Sequence, residues 1–318
     1  MCGIVGLLLK RPELYERLGA LATPMLTQMA SRGCDSAGLA AYTGELAEGR
    51  RKFSLYRESD TGGGYWEELV RELEASVGGR AEVRASGNHA VLAPTADARE
   101  VWRWLVEERP EVSLLGVGGS VEVYKDVGHP EEISARYGFE SLGGSHLLAH
   151  TRMATESAVT WAHAHPFTVG EDFCLVHNGS LSNHFSVRRK LEREGIHFAT
   201  DNDTEAAARF LEWRLREGGE LRAAIEAGFE TLDGFYTFLI GTGEELALVR
   251  DPFGCKPAIV AETGDYVAIA SEFRAFTHLP WIDEARIYEP VPEEVYVWSR
   301  ERTTERATEL ATEKAAAR

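Results

Sequence analysis

The sequence predicts an α+β fold, two packed sheets covered by helices, with a smaller α/β subdomain inserted at about residues 44–143. Three observations carry this. The run Ile4-Val5-Gly6-Leu7-Leu8-Leu9 has strand length and no polar face, as a strand buried on both sides would. Strand-length apolar segments crowd residues 147–270 and are interrupted by three helix-like ones. Between these two regions, short strand-like and helix-like pieces alternate and clustered glycines punctuate the chain.

In chain order, residues 14–30 carry Leu18, Leu21, Ala22, Met25, Leu26 and Met29 at helical spacing, which predicts a helix packed on the first strand. Gly33 is placed to cap its C-terminus. Cys34-Asp35-Ser36-Ala37-Gly38 reads as a turn, and 39–42 as a short strand. The inserted stretch reads as strands at 53–56, 82–85, 90–92 and 121–124, with helices at 66–77, 98–108 and 130–137. Its Gly62-Gly63-Gly64, Gly78-Gly79 and Gly118-Gly119 do not form Gly-x-x-x-x-Gly-Lys-[Ser/Thr], so they mark turns rather than a phosphate loop. Strands follow at 147–151, 173–177, 236–240, 246–250, 258–261 and 266–270. Helices are expected at 182–194, opened by Ser182 as N-cap, at 203–216, capped by Asn202 or Asp203, and at 221–232. Residues 1–298 thus make up the folded unit. Residues 299–318 are Thr, Glu, Ala and Arg with almost no large apolar side chain, and predict a polar tail.

The composition excludes several functions. Lys and Arg number 34 against 51 Asp and Glu, a net charge of −17, and such a surface repels nucleic-acid phosphates and anionic lipid. No apolar run approaches membrane-spanning length, and the N-terminus lacks a signal-peptide pattern, so a cytoplasmic protein is expected. Cys2, Cys34, Cys174 and Cys255 are widely spaced, which suggests neither a zinc site nor a disulfide framework. His146, His150, His163, His165 and His177 cluster, yet no acidic or Cys ligand stands at a usual zinc spacing, so no metal is expected.

The chemistry points to the chain start. Removal of Met1 would leave Cys2 with a thiol and a free α-amine on one residue. A thiol is a weak nucleophile until a base takes its proton, and an amine with pKa about 7.7–8.0 is such a base near neutrality.

Further motifs follow in order: Arg32-Gly33-Cys34-Asp35-Ser36-Ala37-Gly38, His150-Thr151-Arg152-Met153-Ala154-Thr155, Ala164-His165-Pro166-Phe167 and His177-Asn178-Gly179, then Asn202-Asp203-Thr204-Glu205 and Arg250-Asp251-Pro252-Phe253-Gly254-Cys255-Lys256-Pro257. With Met1-Cys2-Gly3-Ile4-Val5-Gly6 they resemble the class II glutamine amidotransferases. These are N-terminal-nucleophile hydrolases, four-layer αββα sandwiches that release ammonia from glutamine.

The resemblance implies roles that make chemical sense. Asn178, through its side chain, and Gly179, through its backbone N–H, would form the oxyanion hole that amide attack requires. Arg152, helped by Thr155, would hold the substrate α-carboxylate, which its planar guanidinium matches. Asp203 would hold the α-ammonium, although capping its own helix is the competing role. Arg32 and Gly33 would fix the Cys2 terminus, with Asp35 and Ser36 bracing the turn. His165 would be a hydrogen-bonded residue of the loop over the substrate, and Arg250-Asp251 and Ser271-Glu272 scaffold ion pairs.

Such an enzyme would hydrolyse L-glutamine to glutamate through a Cys2 thioester, with no cofactor in this chain. The nearer likeness is to the stand-alone amidotransferase subunits of glutamate-synthase-like and N-methylglutamate-synthase systems. This implies partner subunits that carry flavin and iron–sulfur centres and consume the ammonia. An N-terminal-cysteine hydrolase of another amide, acylase-like, and a non-catalytic glutamine-binding regulatory subunit remain alternatives.

Overall fold

The computed structural model describes residues 2–59, 64–154 and 158–299. The chain begins with β1 (Gly3–Leu9), α1 (Leu18–Gln28) and β2 (Ser36–Tyr42). An excursion follows: β3 (Lys52–Tyr56), α2 (Tyr65–Ser76), β4 (Ala81–Ser86), β5 (His89–Pro94), α3 (Ala98–Glu108) and β6 (Ser113–Gly118). The chain returns through β7 (Val121–Val127), α4 (Pro130–Arg136), β8 (His146–Arg152), β9 (Phe167–Val169) and β10 (Phe173–Leu181). Then come α5 (His184–Arg193), α6 (Asp203–Arg216) and α7 (Leu221–Thr231). The last strands are β11 (Gly234–Gly241), β12 (Glu245–Arg250), β13 (Ile259–Glu262), β14 (Tyr266–Ala270), β15 (Arg286–Tyr288) and β16 (Val295–Ser299).

Two antiparallel sheets stack, one of seven strands in the order β15-β13-β14-β1-β8-β2-β7 and one of five, β16-β12-β11-β10-β9. Alternation along β1 shows why its sequence is apolar throughout. Val5, Leu7 and Leu9 face Leu21 and Met25 of α1, while Ile4 and Leu8 face Val176, Leu239 and Leu248 of the second sheet. Gly6 lets the sheets approach, since a Cβ there would lie 2.9 Å from Leu239 Cδ2. Phe173, Leu175 and Phe238 turn the other way and hold Leu191, Leu211 and Ile225 of α5, α6 and α7. The result is helix, sheet, sheet, helix, as the fold class predicts. Ile4, Val5, Leu7, Leu8 and Leu9 are fully buried, and at about 1.5–3 kcal/mol each they anchor the strand that carries Cys2.

The excursion forms its own four-stranded sheet, β4-β5-β3-β6, covered on one face by α2 and α3 through Phe53, Leu92, Leu69, Leu73, Val101 and Leu105. It is narrower than the expected 44–143. β7 pairs with β2 along its whole length, and Ile133 of α4 and Phe139 join the α1 core, so 121–143 belongs to the main body. β6, unforeseen because its glycines blur the strand pattern, closes the inserted sheet beside β3.

Other boundaries moved for identifiable reasons. The helix expected at 14–30 is α1 flanked by 3-10 turns at Pro12–Arg17 and Met29–Arg32. The turn expected at 34–38 is shorter, because Ser36 already pairs with Val127 and Arg152. Ser182 does not cap α5, since its hydroxyl is taken by Asp233 and the helix starts after Asn183. Residues 300–318 of the expected tail, like Gly62 and Gly63, lie outside the described residues.

Candidate active site

Three strands bring the predicted residues together. Cys2 precedes β1, Arg152 ends β8, and Asn178 and Gly179 lie inside β10. Gly3 pairs with Thr151, so the register continued by one residue sets Cys2 opposite Arg152. The Cys2 carbonyl accepts two side-chain hydrogen bonds, from Arg32 Nε at 2.8 Å and Asn178 Nδ2 at 3.2 Å. Arg32 is held in turn by Glu272, Nη1 to Oε1 at 2.9 Å, and Ser271 Oγ accepts from the Ile4 amide at 3.0 Å. Asn178 keeps a second N–H on the same nitrogen. The Cys2 Sγ lies 3.8 Å from the Met153 carbonyl.

The glycines are close-approach residues. Gly33 caps the 3-10 turn that ends this helical segment, as expected, with an extended backbone at φ −171°. A Cβ on it would lie 2.4 Å from the Arg152 carbonyl carbon and 2.6 Å from the Met153 nitrogen. Gly179 has φ +152°, and a Cβ there would meet the Phe235 carbonyl oxygen at 1.9 Å. Its motif is not a hairpin turn but strand, paired across to Tyr236 and Phe238.

Arg152 and Asp203 flank this centre. Burial pulls the Arg152 guanidinium below its ordinary pKa, opposed by the nearby Cys2, Asp35 and Asp203 charges. Its Nη1 donates to the Ala158 carbonyl at 3.0 Å, and Asp35 Oδ2 accepts from the Ala154 amide at 2.8 Å, which braces the strand end. Asn202 takes the helix cap, its side chain accepting from the Thr204 amide at 2.8 Å. Asp203 is thereby released from capping. Its Oδ2 accepts from the Leu181 amide at 2.9 Å, and its Oδ1 lies 3.8 Å from His177 Nδ1. His165 is buried and reaches Thr204 Oγ1 at 3.0 Å. Thr155 lies outside the described residues.

Some expectations change. Arg250 and Asp251 are not paired with each other. Arg250 donates to the Pro290 and Gly254 carbonyls, and Asp251 accepts from the Tyr236 and Phe253 amides. Cys174 is buried between the sheets, whereas Cys34 and Cys255 are exposed. Two residues were missed. Thr204 stands at the centre of the buried histidines. Lys125 of β7 is buried, donates to the Ala164 carbonyl at 2.8 Å and the Ala162 carbonyl at 3.4 Å, and is pulled down to about 7 by burial. The available signal was a lysine at the apolar phase of Val121 and Val123. Among the described residues no cluster of three or more His, Cys, Asp or Glu is arranged to hold a metal ion, and no helix is long and apolar enough to cross a membrane.

A thiol at the head of a buried strand, an amide donor beside it, a guanidinium and a carboxylate together suit an α-amino acid with a side-chain amide. Residues 150–278 match the family described as glutamine amidotransferase domain. The chain is 49% identical to the glutamine amidotransferase-like protein GlxB of Rhizobium meliloti over 95% of its own length and 99% of that protein's. A putative glutamine amidotransferase of Methanothermobacter thermautotrophicus is 32% identical, over 94% and 99% respectively. Among solved structures, the glutamine phosphoribosylpyrophosphate amidotransferase of B. subtilis superposes on 94% of this chain and 49% of that one, with a TM-score of 0.58 at 20% identity, a likeness of fold. This chain belongs to the class II glutamine amidotransferases and is an enzyme of that type.

Proposed function

We propose that this enzyme hydrolyses L-glutamine to glutamate and ammonia through a thioester on Cys2, in the cytoplasm, and passes the ammonia to a separate glutamate-synthase-like or N-methylglutamate-synthase partner. The observation that carries the reading is the convergence of Arg32 and Asn178 on the Cys2 carbonyl, which supports Cys2 and Asn178 acting as one unit. With Met1 removed, the Cys2 amine takes the thiol proton, directly or through one water. The thiolate attacks the glutamine side-chain amide, and the electron pair displaced onto the carbonyl oxygen is met by Asn178 and Gly179. The pair returns, the C–N bond breaks, and the proton leaves with ammonia. Water then attacks the γ-glutamyl thioester, giving glutamate and restoring the thiol. Arg152, with Thr155, holds the substrate carboxylate, and Asp203 its ammonium. No step calls for a metal or organic cofactor, and flavin and iron–sulfur centres are assigned to the partner.

An apolar rim supports a covering partner. Met153, Val159, Phe235 and Phe253 are exposed by 42%, 45%, 48% and 70%, and the two phenylalanine rings lie 5.4 Å apart beside β10. Exposed Met and aromatic side chains are common in interface cores. Glutamine turnover measured against a panel of acyl amides, and with and without proteins co-purified from the native source, tests the reading. Preference for glutamine, with activity raised by a flavin-containing partner, is expected. Preference for another amide would favour an acylase-like hydrolase, and no turnover with any partner a binding subunit.

A further inference from the structure

Beneath the site three histidines are buried together. The His150 and His165 rings lie tilted by 30° against each other with centroids 4.1 Å apart, and His150 Nε2 donates to the His177 carbonyl at 3.1 Å. Burial lowers all three imidazoles from their ordinary value, which favours the neutral ring with one N–H. One hydroxyl joins them to the substrate side. Thr204 Oγ1 lies 3.0 Å from His165 Nε2, 3.1 Å from His177 Nδ1 and 3.4 Å from Asp203 Oδ1.

A hydroxyl has two acceptor sites and one proton. An assignment that uses all three has both rings donating to Thr204 and Thr204 donating to Asp203. In this assignment His165 Nδ1 and His177 Nε2 are left unprotonated, and both, like His150 Nδ1, are buried without a hydrogen-bond partner. Asp203 then has Oδ2 fixed by the Leu181 amide and Oδ1 fixed by Thr204, so its plane is set from two sides. Its remaining lone pairs stay open on a side chain 21% exposed.

We propose that Thr204 is a positioning residue for glutamine recognition: with His165 and His177 behind it, its hydroxyl orients Asp203 toward the substrate α-ammonium. This rests on the reading of Asp203 as the ammonium ligand. Thr204 touches no reacting atom, so its removal weakens binding rather than chemistry. A hydrogen bond to a charged group accounts for an effect of about tenfold or more.

The test compares Thr204→Val, Thr204→Ala, Thr204→Ser and Asp203→Asn on L-glutamine and on its analogue lacking the α-amino group, with melting temperatures recorded. Thr204→Val, or Thr204→Ala if the valine variant does not fold, is expected to raise the glutamine KM about tenfold with kcat within a few-fold. Thr204→Ser should restore the wild-type KM, the preference for glutamine over the desamino analogue should fall, and Asp203→Asn should mask any further loss. An unchanged KM and preference in the Thr204 variants, beside a raised KM in Asp203→Asn, would overturn the proposal alone. Unchanged glutamine binding in Asp203→Asn would overturn the reading beneath it. Full additivity of the two substitutions would also overturn the proposal, because Thr204 would then act elsewhere.

Discussion

Gly179→Ala is the sharpest perturbation the structure offers. The new Cβ would stand 1.9 Å from the Phe235 carbonyl oxygen and 2.7 Å from His177 Nε2, on a backbone at φ +152°. Bringing the first contact to 3.4 Å requires β10 and β11 to part by about 1.5 Å at this pair. Asn178 and Gly179, the proposed oxyanion donors, move with β10, and a misplacement near 1 Å can cost about 10²-fold in rate. Loss of one donor costs about 10²–10³-fold in turnover. We expect kcat to fall by at least about 10², with about 1–3 kcal/mol lost in stability. Gly144→Ala is the control, because its φ is +153° and its Cβ would lie 2.3 Å from the Tyr42 carbonyl oxygen, at the far end of β8. Steady-state glutamate release, with denaturant melts of both variants, gives the comparison. Equal stability losses with turnover lost only in Gly179→Ala are expected. Full turnover in Gly179→Ala, or equal loss in both, would refute the reasoning.

Asn178→Ala should lower kcat by about 10²–10³ with little change in KM, measured on glutamine, whereas Arg152→Ala should chiefly raise KM, because the carboxylate is held alike in ground and transition states. Arg32→Ala removes the Cys2 tether and the bond to Glu272, so turnover should drop with about 1–3 kcal/mol of stability, read from activity and melts together. Acid should destabilise the fold early. Burial lowers His89 to about 4 and His150 to about 3, below the unfolded value of 6.5, so the unfolded chain binds more protons throughout that window. This stability is complete above pH 6.5 and is lost as the pH falls toward 3, and denaturant melts between those limits should show it.

Much of the site was legible because its residues are marked by local chemistry. Cys2 ahead of an apolar run, Arg152 at a strand end and Asn178-Gly179 after another apolar strand fall where those strands converge. The start of α6 was read at Asp203, and the ambiguity over its cap resolves only in three dimensions, where Asn202 turns to the Thr204 amide. Non-local pairing was the part hidden from sequence. Val121, Val123 and Lys125 alternate plainly, yet which sheet β7 joins depends on its register with β2, across the whole inserted unit. The same limit hid Thr204, an ordinary helix residue until His165 arrives from the segment before β9 and His177 from β10. Arg250 and Asp251 show the reverse error, since adjacent opposite charges suggest a pair while each is spent on backbone groups.

The central claim is that Cys2, as the first residue of the mature chain, attacks glutamine. Intact and peptide mass spectrometry after treatment with an electrophilic glutamine analogue tests it directly. The reading expects a chain without Met1, carrying one adduct located on Cys2 and none in Cys2→Ala. A chain that retains Met1, or an adduct on the exposed Cys34 or Cys255, would contradict it.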